Sequence, residues 1–145
     1  NKEFYSAYLY YAMSSYFSEI NFDGFAKYMK EQAIEELQHA QKFYDFLIIR
    51  HAPIKFERIE APDMSYSNVT DVFEQAIEHE KFITAEIIKL SNMSKAVKDP
   101  MAEIFLQGMI MEQMEEEDKF LKILDRIEFN QECGCTLEHI DSELK

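Results

Sequence analysis

Ile34-Glu-Glu-Leu-Gln-His39 decides the reading of this 145-residue chain. Taken at helical spacing, its surroundings give Met29, Ala33, Glu36, Ala40, Phe43 and Leu47, an apolar stripe with one acid at its centre. His39 follows Glu36 by three residues and shares its helix face. A carboxylate on a stripe that packs inward costs several kcal/mol unless something compensates it. Alone, Glu-x-x-His is a weak signal, since a surface Glu beside a core His produces it equally well. The rest of the chain has to arbitrate.

Two more stripes repeat the anomaly. One reads Phe73, Ile77, Glu80, Ile83, Ile87, Leu90; the other Phe105, Met109, Gln113, Glu116, Phe120, Ile123, Ile127. No Lys or Arg shares any of the three, so a bound cation is a simpler compensation than salt bridges. One offset relates the positions. Glu3 and Glu80 lie 77 residues apart, as do Glu36 and Gln113, His39 and Glu116, and Glu35 and Glu112. The helix ends Ile20 and Val97 and the starts Asp23 and Pro100 share that offset. This is an internal repeat of two helix pairs, and it predicts that Glu3, Glu36, His39, Glu80, Gln113 and Glu116 fall at one height.

The elements around these stripes are helical. Gly and Pro number only six, too few for a sheet or a loop-rich fold. The spacing predicts helices over 1–20, 23–50, 69–97, 100–128 and 136–144, with Asp23, Asn68, Asp99 and Thr136 as N-caps and Pro100 at a first helical position. Short turns make the first and second helices, and the third and fourth, antiparallel pairs. The long Pro-containing link from His51 to Ser67 is expected to cross the length of the molecule, leaving the second and third helices parallel. The expected fold class is all-α: a single domain over 1–145, a four-helix bundle with one long crossover and a short fifth helix. The first helix is about two turns shorter than the others, so we expect the natural chain to begin upstream of Asn1. Phe56 and Tyr66 in the crossover are expected to be exposed and available to an interface.

Composition narrows the function. The net charge of −13 repels phosphate backbones, which argues against nucleic acid; it suits a cation-attracting protein, or only a soluble one. The longest apolar run, Tyr8 to Met13, is far below a membrane span. No leader is read at Asn1, and Cys133 and Cys135 are too close for an easy disulfide, so reduced thiols and a cytoplasmic location are expected. An oxygen-rich donor set with one imidazole suits iron or manganese and not a structural thiolate zinc site. Two neighbouring divalent cations bridged by carboxylates are the expected occupants.

The motifs Ile34-Glu-Glu-Leu-Gln-His39 and Met111-Glu-Gln-Met-Glu-Glu-Glu117 resemble the second- and fourth-helix signatures of the bacterial non-haem ferritins, within the ferritin superfamily. The resemblance covers essentially the whole chain. It implies Glu3, Glu36 and His39 as a first iron site, and Glu36, Glu80 and Glu116 as a second, with Glu36 bridging and Gln113 beside the second iron. It implies a role for Tyr10 in electron donation, against which stands ordinary packing in an aromatic-rich helix. It implies a third iron site at Glu35, Glu112 and Glu115, against which stands a solvated acidic face. It further implies a cytoplasmic homo-oligomer, a shell of twenty-four subunits, in which Fe(II) meets O2 or H2O2 and ferric mineral is stored. Bacterioferritins carry a second Glu-x-x-His where this chain has Gln113-x-x-Glu116, and a haem-binding Met where it has Leu37, so no haem is expected. Rubrerythrins add a rubredoxin-like domain with two pairs of cysteines that is not found here. Dps-type mini-ferritins lack a fifth helix and place their ligands across a dimer interface. Two rivals stay open: a soluble diiron oxidase or peroxidase without storage, and an acidic bundle whose buried polar residues only set register.

Overall fold

The computed structural model describes residues 1–132 and 136–145. The expectation for Cys133 and Cys135 lies outside them. Among the described residues there are five helices and no strand: α1 (Lys2–Glu19), α2 (Asp23–Ile49), α3 (Val69–Ala96), α4 (Pro100–Glu132) and α5 (Glu138–Glu143). They fall into two compact units, the first made of α1, α2, the link and α5, the second of α3 and α4.

In the first unit, a three-residue turn makes α1 and α2 an antiparallel pair. Phe17 and Phe25 are fully buried where it begins, their ring centroids 5.2 Å apart. Ser14 donates to the Ala26 carbonyl across the pair at 2.7 Å. Asp23 is not the N-cap of α2. That position is Phe22, and no local side chain caps it. The cap comes from α5: Asp141 Oδ1 accepts from the N–H groups of Gly24 and Phe25 at 2.7 and 2.9 Å. A carboxylate suits the positive end of a helix dipole. Gly24 is required for this approach, because a Cβ there would lie 1.7 Å from the Asp141 carbonyl oxygen. Ile140, fully buried, anchors α5. This helix starts two residues later than expected, with Leu137 and not Thr136 at its N-cap. Tyr66 is half-buried against Tyr16, with ring centroids at 5.1 Å, while Phe56 remains 75% exposed.

In the second unit, Asn68 caps α3 by accepting from Asp71 N–H at 3.0 Å, and Asp99 caps α4 by accepting from Ala102 N–H at 3.1 Å, both as expected. Phe73 and Phe120 pack across the pair with centroids 6.3 Å apart. The helix α4 runs four residues past its expected end, and near that end Gln131 donates to Thr70 Oγ1 at 2.9 Å. Leu90 is exposed, contrary to its place on the stripe, and Ser91 is buried instead.

Candidate metal centre

Each unit buries polar residues among the apolar side chains of its helices. In the first, Glu3 stands on the opening turn of α1 and Glu36 and His39 on one face of α2; all three are at most 6% exposed. His39 Nδ1 lies 3.6 Å from Glu36 Oε2, an electrostatic contact too long for a hydrogen bond. Glu3 is pushed up to about 8, first by burial, then by the like charge of Glu36, with His39 pulling it back and a hydrogen bond to Glu36 adding to the rise. One proton shared by two carboxylates is how a buried acidic pair avoids repulsion. Glu3 Oε2 is nevertheless buried without a hydrogen-bond partner among the described residues. Tyr10 is fully buried on α1, two turns after Glu3.

In the second unit, Glu80 on α3 and Gln113 on α4 are fully buried, and Glu116 is 3% exposed. Gln113 Nε2 donates to Glu80 Oε2 at 2.7 Å, leaving Gln113 Oε1 buried without a partner among the described residues. The stripes carry no Lys or Arg, as read from the sequence, yet a base from outside them reaches one of these acids. Lys119, off the stripe, reaches back one turn and donates to Glu116 Oε1 at 2.7 Å. Stripe reading misses such a residue because a long stem lets its head act away from its own Cα.

Glu35 is half-buried and accepts from Gln32 at 2.9 Å; Glu112 is half-buried and Glu115 exposed. Leu37 is 40% exposed. Among the described residues, no three His, Cys, Asp or Glu side chains form a ready-made metal-binding group. The donors carry their own compensations instead: a proton at Glu3, an amide at Glu80, an ammonium at Glu116. Oxygen donors with one imidazole, inside an apolar shell, fit a hard or borderline divalent cation.

A family profile for the ferritin-like domain matches residues 1–130. The chain therefore belongs to the ferritin-like domain family. Over 99% of its length it is 40% identical to a probable bacterial non-heme ferritin-like protein of Haemophilus influenzae, covering 87% of that protein. It is 36% identical over its whole length to a bacterial non-heme ferritin of Campylobacter jejuni, again covering 87%. An open-pore ferritin from the hyperthermophilic archaeon Archaeoglobus fulgidus matches with a TM-score of 0.94 at 38% identity, over 98% of this chain and 88% of that one. The all-α, ferritin-like fold expected from the sequence is borne out. Among the described residues, no helix is long and apolar enough to cross a membrane.

Proposed function

We propose that this chain is the subunit of an iron-storage ferritin that oxidises Fe(II) within its own single domain and deposits ferric mineral inside a shell of copies. Iron is its substrate and cargo. Glu3, Glu36 and His39 hold one ferrous ion; Glu36, Glu80 and Glu116 hold a second, with Glu36 shared and Gln113 alongside. Tyr10 supplies an electron when O2 or H2O2 accepts them. Glu35, Glu112 and Glu115 receive iron on its way to the interior. The shell has twenty-four subunits, works in the cytoplasm and needs no haem.

The observation that carries this reading is the pair of buried, carboxylate-bearing helix faces repeated at an offset of 77 residues. A proton at Glu3, the Gln113 amide and the Lys119 ammonium compensate these acids without metal, and a divalent cation is an occupant that would take over that compensation. Membership of the ferritin-like family supports iron as that cation.

An aerobic ferrous titration tests the proposal, counting iron retained per chain after desalting. Retention far above the roughly two irons of a dinuclear site is expected. Saturation near two with continuing oxygen consumption would point instead to a diiron oxidase. Glu36→Ala is expected to abolish rapid oxidation; unchanged loading and rate in that variant would leave only an acidic bundle.

A further inference from the structure

We propose that Lys119 is a built-in competitor for the second iron position: its ammonium occupies Glu116 until a divalent cation displaces it, so the second ion binds more weakly than the first. The inference rests on the reading of Glu116 as an iron ligand.

The geometry is specific. Lys119 Nζ lies 2.7 Å from Glu116 Oε1, and the two side chains are 41% and 4% exposed. One end of the pair is open to water and the other is not. The neighbouring pair on α4, Lys122 with Asp118, has side chains 72% and 57% exposed and is an ordinary surface contact. Glu80 is compensated differently, by the neutral amide of Gln113 at 2.7 Å. Glu116 is thus paired with a positive charge that stays partly open to water.

The consequence follows from Coulomb's law. A divalent cation on Glu116 would lie within a few ångströms of the ammonium, and repulsion at that range is substantial even at the dielectric of a protein surface. The two cations therefore exclude each other. A lysine has the means to yield, since its flexible stem can carry the head outward into solvent. Displacing it costs the bound ion affinity, and its return helps the ion leave. Lys119 acts through Glu116 and is a positioning residue, not a ligand.

The test is an anaerobic titration of the assembled protein with Co(II), a redox-inert stand-in for Fe(II), read by calorimetry and visible absorption. Wild type is expected to fill the dinuclear pair with two equivalents, the second more weakly, ahead of the less buried acids Glu35, Glu112 and Glu115. K119M is expected to tighten that second equivalent roughly tenfold, about 1.4 kcal/mol, leaving the first unchanged. K119R keeps the charge and should retain wild-type affinities. K119M should also melt lower without metal, because Glu116 loses its countercharge, and regain that loss when Co(II) is added. K119Q, also uncharged, gives the same direction if K119M does not fold. A second equivalent that is unchanged or weaker in both neutral variants overturns the inference. E116Q separates the two levels. If it loses one equivalent while K119M gains nothing, the inference alone fails; if it keeps both, the site reading fails and takes the inference with it.

Discussion

Glu3 holds a proton that an exposed carboxylate would not, and this makes the metal-free protein sensitive to pH. Its folded value is about 8 against an ordinary 4.5, so folding takes up a proton between those limits. The sign follows from linkage: this group's contribution is most favourable below 4.5 and declines by a few kcal/mol as pH rises to about 8. Urea melts of metal-free protein at pH 5 and pH 8 should show that decline, and Glu3→Gln should flatten it. A divalent cation on Glu3 must expel the proton, so its affinity should rise over the same interval. An E3Q variant with the wild-type pH slope would refute the assignment. Glu36, Glu80, Gln113 and Glu116 were legible in the sequence because polarity at the centre of an apolar stripe is a conflict between local residue and global pattern, and Glu3 because the 77-residue offset pairs it with Glu80. Lys119 was not, because it lies off the stripe and acts through its stem.

The helices were legible because their stripes are long and their breaks few, but their ends were less so. Gly is the usual signal for a helix C-terminus, and here α1, α2 and α3 end without it. Asn21, His51 and Lys98 take the left-handed conformation, with φ of 62, 52 and 56°. Each sits in a paired hydrogen-bond motif: Asn21 and Phe22 bond back to Ser18 and Phe17, His51 and Ala52 to Ile48 and Leu47, Lys98 and Asp99 to Lys95 and Ser94. The motif satisfies terminal carbonyls whatever residue occupies it, yet a side chain there is strained. Lys98→Gly should therefore stabilise the protein by about 0.5–1 kcal/mol, whereas Asn21→Gly should do less, since Asn tolerates this region. Thermal melts of both variants would check the ranking; a destabilised K98G would mean the lysine side chain contributes something the backbone does not show. The α2 N-cap was hidden for a different reason. Asp141 lies more than a hundred residues from Gly24 in the chain, and capping across that distance leaves no local pattern.

At the scale of the whole molecule, the helices carry more apolar surface than one chain buries. On α2, Ile34, Leu37, Tyr44 and Ile48 lie along one face and are 43, 40, 40 and 50% exposed, while Tyr8 on α1 is 51% exposed. A second apolar face beside a full core is the pattern of a subunit that meets other subunits. Against association stands the charge of −13 on every copy, which repels like copies at long range. Salt decides the balance, because it screens the repulsion while the apolar contact persists. Sedimentation velocity should accordingly find a large assembly at physiological ionic strength that loosens as salt is removed. Ile48→Glu adds a further charge to the contact face and should release small species without lowering helix content by circular dichroism. Those species should still oxidise Fe(II), since the proposed ligands are internal to the chain, but should retain little of the product. Wild-type protein that sediments as a stable monomer would remove the compartment on which storage depends.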